Sequence, residues 1–438
     1  MKKYLFILCA VAIAFSAISC DPKTPKTFEV PVQLQLDGQP FAMEGVTVTL
    51  ASGDALFEGT TDASGLATFT VPVGVYTATT SFKLSDAGIL YNYNGSVNVP
   101  VTEAFTGTVN LAVTASKSSQ LILKEVYNGG CQKNGNTGAY NYDKYVIVYN
   151  NSDVAVDASK MCLAMAQISS LSNSNKYTIT DGVIEYAAAG WTPASYGIWW
   201  FQSGVEVKIE PYSQIVIAVC GAIDHTVTYE NSVDLSNADY CLYDLESGFN
   251  NTTMWYPAPS ASIPANHYMK TYEYGMGTAW VFPNKMAAPF LIMPETDIEA
   301  FVKDESNFDN RATNKSGNYA KIPVGWVLDA LEVWGDTDET KNYLRFPSVV
   351  NTGYEVLATN AQGYSFYRNV DKEATEAIAE NEGKLVTGYA GALDAEADGD
   401  PSGIDAEASI AKGAKIVYMD TNNSAADFHL RKVASLKK

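Results

Sequence analysis

The densest group of candidate metal ligands in this 438-residue chain lies between residues 394 and 407. Oxygen-bearing side chains stand at positions 1, 3, 5, 7 and 12 of a twelve-residue window, and Gly399 stands at position 6. Calcium takes about six to eight hard oxygen ligands, and glycine at that position lets the loop turn sharply. The spacing makes calcium a candidate cofactor, with these ligands: Asp394, Glu396, Asp398, Asp400 and Asp405.

The alternative for the same segment is a solvated acidic loop that holds no ion. Pro401 replaces the apolar residue usual in such a calcium loop, and position 12 carries aspartate instead of the longer glutamate. No convincing helices flank the segment, so the composition alone leaves both interpretations open.

Clustered aromatic residues are the second candidate site. Trp191, Trp199 and Trp200 lie in one segment, and Trp255 and Tyr256 lie in another. Exposed rings would form a stacking surface for a sugar, an aromatic cargo or a protein partner. Buried rings would be core residues. The sequence does not decide between these two placements.

Motifs for catalysis are absent from the sequence. It contains no Gly-x-Ser-x-Gly elbow, no Walker-type phosphate loop and no His-Glu-x-x-His. Its three histidines, His225, His267 and His429, are far apart, and 49 acidic residues single out no catalytic pair. We therefore expect a protein that is not an enzyme. A hydrolase whose residues meet only in the folded chain is the alternative from a different class.

Four cysteines remain after the two nearest the N-terminus, namely Cys131, Cys162, Cys220 and Cys241. An even number permits two disulfides in an oxidising compartment, and three pairings are open. Free buried thiols are equally compatible with the sequence. The absence of a Cys-x-x-Cys pair argues against a zinc site.

The N-terminus has the features of an export signal. Two lysines precede an apolar stretch that is short for a membrane-spanning helix, and small residues follow it. The segment 17–20, Ala-Ile-Ser-Cys, resembles the lipobox of bacterial lipoproteins. That resemblance implies removal of residues 1–19, lipidation of Cys20, a tether over 20–27 and a location in the outer membrane, at the cell surface. Periplasmic display remains open.

Charge narrows the choice of partner. The formal net charge of −20 becomes −22 when the two lysines of the signal are removed. Such acidity argues against a nucleic acid as a partner, because the phosphates would be repelled. It is compatible with a cationic or metal cargo.

An all-β fold with two β-sandwich regions is expected from the alternation of apolar and polar residues. Strands are predicted at 28–36, 46–50, 66–69 and 73–79, with a turn at Asp37-Gly38. The order T-D-x-x-G-x-A-x-F, then P-x-G-x-Y, resembles carboxypeptidase-regulatory-like or prealbumin-like domains. The resemblance implies a small sandwich over 28–115 that acts as a spacer or adhesion module.

The second region, 120–438, is predicted to begin with strands at 121–126 and 145–149. Its pattern L-I-x-x-E-V followed by Y-V-x-V-Y-N-N-S-D resembles the lamin-tail domain, which implies an immunoglobulin-like sandwich. Segments 207–218, 324–332 and 418–428 resemble its later parts. The region is too long for a plain sandwich, so insertions are predicted at 165–205, 230–320 and 360–410. Helical segments are predicted at 297–302 and 372–380.

Taken as a whole, the chain resembles an uncharacterised family of Bacteroidetes lipoproteins with a domain of unknown function. The resemblance implies association with a TonB-dependent outer-membrane transporter. We therefore expect a non-enzymatic binding accessory that captures a nutrient, a metal or a cofactor. A structural or adhesive surface lipoprotein without cargo is the alternative.

Overall fold

A computed structural model describes residues 26–53, 55–86, 89–166, 169–180, 183–195, 197–244, 259–272, 282–310, 318–393 and 399–437. The chain divides into two compact units. The first contains the described residues up to Leu84 together with Tyr91–Lys117, and the second contains Ser85–Leu90 and the described residues from Ser118 onward. The all-β expectation is confirmed, since strands dominate both units and the helices are short.

The first unit is built from eight strands: β1 (Thr27–Leu36), β2 (Gln39–Pro40), β3 (Thr47–Ser52), β4 (Ala55–Thr60), β5 (Leu66–Pro72), β6 (Gly74–Asp86), β7 (Ile89–Val101) and β8 (Val109–Ser119). They form one sheet in the order β2–β1–β8–β7–β6–β3–β4, and β5 pairs with β1. The alternation in β1 buries Val30, Val32 and Leu34 on one face, as the period of two requires.

The predicted turn after β1 has the geometry of a tight hairpin. Asp37 and Gly38 both adopt positive φ angles, 51° and 74°. A two-residue turn of that kind matches the right-handed twist of its strands, and Asp-Gly is a preferred sequence for it. The turn therefore sets the register in which Leu36 lies opposite Gln39.

The second unit contains further strands and five short helices. The strands are β9 (Leu121–Tyr127), β10 (Cys131–Gln132), β11 (Ala139–Tyr140), β12 (Tyr145–Asn150), β13 (Val156–Asp157), β14 (Cys162–Met165), β15 (Ile179–Thr180), β16 (Val183–Ile184), β17 (Trp191–Ala194), β18 (Ile198–Trp200), β19 (Lys208–Ile209), β20 (Gln214–Ala218), β21 (Tyr240–Leu242), β22 (Tyr268–Tyr272), β23 (Pro289–Ile292), β24 (Phe308–Asn310), β25 (Asn318–Pro323), β26 (Val327–Ala330), β27 (Val333–Trp334), β28 (Glu355–Val356), β29 (Ser365–Arg368) and β30 (Phe428–Arg431). The helices among the described residues are α1 (Glu185–Ala188), α2 (Ile298–Lys303), α3 (Lys372–Glu376), α4 (Ala406–Ala411) and α5 (Ser424–Asp427).

Eleven of these strands form the main sheet, in the order β26–β23–β14–β18–β22–β21–β20–β12–β9–β29–β30. The sheet curls back on itself, so that β26 lies close to β9. The carboxylate of Asp329 on β26 accepts a hydrogen bond from the Leu123 N–H on β9 at 2.6 Å. A large apolar core lies inside the curl and includes Leu123, Val148, Trp199 and Leu291.

The predicted insertions contribute strands to this sheet. Segments 165–205 and 230–320 supply four of its strands, β18, β21, β22 and β23, and 360–410 supplies β29. Part of the extra length therefore widens the main sheet, and part of it forms the smaller sheets β15–β16 and β17–β25–β24. Short apolar runs such as Pro289–Ile292 are buried along their whole length, which is why they pair inside the sheet.

The buried ion pairs of the second unit include those formed by two arginines, Arg345 and Arg368. Arg345 and Glu332 are fully buried, and the Arg345 Nη2 lies 2.6 Å from the Glu332 Oε1. Arg368 on β29 contacts Asp329 on β26, and its Nε donates to the Leu123 carbonyl at 2.8 Å. These groups join segments that are far apart in the chain, and their loss would leave uncompensated charge in the interior.

The two predicted helical segments are present. Asp297 accepts a hydrogen bond from the Glu299 N–H and caps α2, while Asp371 caps α3 in the same way. Helix α3 ends at Glu376, earlier than predicted. Within the described part of the chain, no helix combines the length and the apolar character needed to cross a membrane.

Candidate binding site

A groove of about 530 Å³ lies where three neighbouring strands of the main sheet end. Cys162, at the start of β14, is paired with Trp200 at the end of β18 and with Ile292 at the end of β23. Because these strands are antiparallel, the loops attached to those three ends meet at the same edge. The groove is lined by Ser159, Lys160, Trp200, Phe201, Ser203, Pro294, Glu295, Thr296, Asp297, Ile298 and Glu299.

The apolar part of the groove is supplied by Trp200, which remains 9% exposed. Its ring packs in a second core together with Ile292, Phe301 and Trp326. The Trp200 indole therefore forms a rigid floor for the groove, because buried neighbours hold it on the sheet side. An aromatic floor of this kind suits an apolar or positively charged ligand surface.

Carboxylates dominate one side of the groove. Glu295, Asp297 and Glu299 are exposed residues within five positions of the chain, and Lys160 lies on the groove as a cation. Asp297 is committed to capping α2, at 2.9 Å from the Glu299 N–H, and Glu299 lies 3.7 Å from Lys303. Glu295 is left as the carboxylate with the greatest freedom to meet a ligand.

The groove has the chemistry of a binding site. Its serine Ser159 accepts a hydrogen bond from the Val207 N–H at 2.9 Å, and no histidine or cysteine is among its lining residues. An apolar floor beside carboxylates favours a ligand that is amphipathic and positively charged.

The described residues of the predicted aromatic surface lie in three different environments. Trp199 is wrong as a surface residue, because it is fully buried in the main core, whereas its neighbour Trp200 lies on the opposite face of β18 and reaches the groove. Trp191 is half-buried and packs with Tyr177 and Tyr186 in a separate aromatic cluster. Trp255 and Tyr256 lie outside the described residues, as does Cys20.

Two of the five predicted calcium ligands, Asp400 and Asp405, lie in the described residues, and both accept hydrogen bonds from backbone N–H groups. Asp400 accepts hydrogen bonds from the Val370 and Ser402 N–H groups, and Asp405 caps α4 through the Ala408 N–H at 3.0 Å. Asp394, Glu396 and Asp398 lie outside the described residues. In the part of the chain that the structure describes, no three histidine, cysteine, aspartate or glutamate side chains gather as a metal site.

The four cysteines are separate, buried thiols. Burial raises the pKa of the Cys131, Cys220 and Cys241 thiols to about 12. They are therefore protonated at neutral pH and poor nucleophiles, which is the behaviour of structural cysteines.

Sequence reasoning missed Lys160 and the acidic segment 295–299 as groove residues. A local signal was present, since Pro294 follows an apolar run and Asp297 precedes a short helical pattern. The sequence does not show that Cys162 pairs with both Trp200 and Ile292. This pairing brings the three loops together.

Comparison with known proteins places this fold beside a family of unknown function. Residues 210–386 match the family model described as "Protein of unknown function (DUF4876)". That range includes the acidic side of the groove. The expectation of an uncharacterised Bacteroidetes domain of unknown function is thereby confirmed. The finer resemblances to carboxypeptidase-regulatory-like and lamin-tail domains stay predictions.

Solved structures support the fold. The chain is similar to the crystal structure of a DUF4876 family protein from Bacteroides thetaiotaomicron, with 21% identity, a TM-score of 0.53, and coverage of 92% of this chain and 95% of that one. At this identity the likeness concerns the fold alone. No protein of established annotation matches the chain.

Two other similarities are too weak to carry an argument. A DUF3823 family protein from Parabacteroides merdae is 16% identical, with a TM-score of 0.17 and coverage of 33% of this chain and 67% of that one. A streptococcal ancillary pilin is 15% identical, with a TM-score of 0.15 and coverage of 42% and 58%.

Proposed function

We propose that the chain is an outer-membrane lipoprotein, anchored through Cys20 at the cell surface, that binds cargo or partner segments for a TonB-dependent transporter without catalysing a reaction. The groove beside Trp200 is the observation that carries this proposal. Its aromatic floor and its carboxylates offer recognition of a positively charged ligand.

Charge supports the same proposal. The groove presents Glu295 and Glu299 within a chain of formal net charge −20. An acidic groove on an acidic protein speeds the encounter with a positively charged segment, and this effect weakens as ionic strength rises. The bound group is therefore expected to be cationic, whether it belongs to the transporter or to its cargo.

The test is copurification from native membranes. The tagged wild-type protein should retain a TonB-dependent transporter, identified by mass spectrometry, and the Cys20→Ser variant should leave the membrane fraction. The Glu295→Lys/Glu299→Lys variant should retain about tenfold less transporter at low salt, because it replaces attraction by repulsion. A wild-type sample without any transporter would reject the accessory role.

A matched control separates the groove from general charge. The Glu58→Lys/Glu103→Lys variant makes the same change in net charge at exposed positions of the first unit, neither of which lines the groove. It should retain the transporter as the wild type does. Equal loss in both variants would show that overall charge, and not the groove, governs binding.

A further inference from the structure

The aliphatic amine of Lys124 is buried and contacts polar side chains that do not line the groove. Lys124 is 1% exposed, and its Nζ lies 2.7 Å from the Gln214 Oε1 and 2.7 Å from the Glu407 Oε1. A lysine that is nearly fully buried is uncommon unless it is paired. Here an amine, a carboxamide and a carboxylate meet at one point.

Strand β9 delivers this amine through a β-bulge. Glu125 is paired with Ile147 and Leu123 with Val148, so that Lys124 is the extra residue of the strand. A bulge of this kind redirects a side chain, and such bulges are common beside functional sites. The Lys124 side chain reaches β20, two strands away, where Gln214 lies.

Three tyrosine rings surround the amine. The Lys124 Nζ is 5.8, 5.6 and 5.8 Å from the ring centres of Tyr149, Tyr367 and Tyr418. The Tyr367 hydroxyl donates to the Glu407 Oε1 at 2.7 Å and lies 3.0 Å from the Tyr418 hydroxyl. The rings limit access of water, and the hydroxyl contact fixes the carboxylate against the amine.

We propose that Lys124 and Gln214 are a site of covalent self-modification, at which the lysine Nζ displaces ammonia from the glutamine side chain and forms an intramolecular isopeptide bond. Glu407 is the catalytic residue of this step. The proposal is independent of the transporter and of the groove beside Trp200.

The atoms and charges of the step balance without an oxidant or a co-reactant. The Lys124 ammonium transfers one proton to the Glu407 carboxylate, and the neutral Nζ attacks the Gln214 Cδ while the C=O electron pair moves to Oε1. Collapse of this intermediate breaks the Cδ–Nε2 bond. Nε2 takes the proton from Glu407 together with a second proton from the former amine, and it leaves as ammonium.

Free amines and amides do not react with each other in water. Holding the two groups in contact inside the protein accelerates their reaction. Holding reactants near contact distance raises their effective concentration by several powers of ten, about 10⁵ M or more in favourable cases. A positioned proton acceptor contributes roughly 100-fold or more. At Lys124 the amine is held 2.7 Å from the Gln214 carboxamide oxygen and 2.7 Å from the Glu407 carboxylate oxygen, so the three groups of the reaction are in contact.

A second buried lysine serves as an internal control. The Lys144 Nζ lies 2.7 Å from the Asn284 Oδ1 and donates to the Phe282 carbonyl, and burial lowers the pKa of Lys144 to about 8. Its described contacts include a carboxamide but no hydrogen-bonded carboxylate. If the carboxylate is required, the Lys144–Asn284 pair remains unlinked in the same protein.

The experiment is intact-mass spectrometry of the full chain, followed by peptide mapping after denaturation. The wild type should be lighter by one ammonia than the mass calculated for the chain after its N-terminal processing and lipidation. Lys124 and Gln214 should be found in one branched peptide, and Lys144 and Asn284 in separate peptides. Recovery of Lys124 and Gln214 in separate, unmodified peptides would overturn the proposal. This measurement needs no variant, so a folding defect cannot obscure it.

The Glu407→Gln variant then tests the assigned role. It keeps an oxygen that accepts from Tyr367 but removes the proton acceptor, so linkage should slow by about 100-fold or more in freshly folded protein. Far-ultraviolet circular dichroism establishes that this variant is folded. Linkage at the wild-type rate in folded Glu407→Gln protein would overturn the catalytic role of Glu407, and a linked Lys144–Asn284 pair would overturn the requirement for a carboxylate.

Discussion

The interior of the first unit is formed by side chains such as Val30, Val32 and Leu34, whereas the second unit buries Arg345 and Arg368 with their carboxylate partners. Among the described residues of the first unit, the buried polar side chains are Thr61 and Thr80. Burial of apolar area stabilises the first unit, and this stabilisation is non-directional, so any segment with apolar side chains can supply it. The ion pairs of the second unit work only between particular residues, so they select one pairing of distant segments.

Removal of the Arg368 charge should have the largest effect on this contrast. In Arg368→Met protein, Asp329 remains buried without its cation, and the free energy of unfolding of the second unit should fall by about 3–5 kcal/mol. Urea unfolding followed by tryptophan fluorescence measures this unit alone, because all seven tryptophans lie between residues 191 and 334. The exposed Lys372→Met variant should change the value by less than about 0.5 kcal/mol. Equal effects would remove the distinction between buried and exposed charge.

In the first unit, loss of apolar volume should matter instead. Leu34 is fully buried, so Leu34→Ala should lower the unfolding free energy of this unit by about 3 kcal/mol. Hydrogen exchange of peptides within 27–113 measures the change. Glu29→Ala, at an exposed position of the same strand, is the matched control. A shift of the tryptophan transition as large as the change in exchange would contradict the separate treatment of the two units.

A buried histidine, His429, should make the stability of the second unit depend on pH. Burial, with a smaller contribution from Arg431, lowers the pKa of His429 to about 3. The unfolded chain binds a proton near pH 6.5 and the folded chain does not, so the stability contributed by this residue falls as pH drops from 6.5 toward 3. Between pH 7 and pH 5 the wild type should lose about 2 kcal/mol more than His429→Gln protein. Parallel urea titrations at both pH values measure this, and identical pH dependence would contradict it.

The smallest effect is expected at a helix cap. Asp405→Ala removes the acceptor for the Ala408 N–H at the start of α4 and should cost about 1 kcal/mol in the second unit. Asp405→Asn keeps an acceptor and should recover most of that loss. The same tryptophan transition measures both variants. A calcium-dependent rise in the wild-type midpoint would instead show that the acidic loop holds an ion.

The parts of the molecule that were predictable from sequence are those set by local patterns. Alternation predicted β1, the Asp37-Gly38 pair predicted its turn, and a run of helix-forming residues predicted α3. The sequence did not reveal that Trp199 and Trp200 face different cores, because both faces of β18 are buried and alternation gives no contrast there.

Long-range pairing accounts for most of what was missed. Strands β18 and β23 lie in segments predicted as insertions, since runs of three or four apolar residues do not identify their partners. The contacts of Lys124 with Gln214 and Glu407 span 90 residues or more. No local pattern encodes such contacts, so the groove and the buried amine both required the folded structure.

The position of β9 has a consequence for the time course of folding. This strand pairs with β12 on one side and with β29 on the other, and its Glu125 carboxylate accepts from the Ser365 hydroxyl, 240 residues later in the chain. At the usual rates of protein synthesis, roughly ten seconds or more separate the two segments. During that interval one edge of β9, a strand that is wholly buried in the folded protein, is unpaired, and an unpaired edge is a template for aggregation. For a chain with this topology, we expect less aggregation when folding begins only after the C-terminal strands have been made.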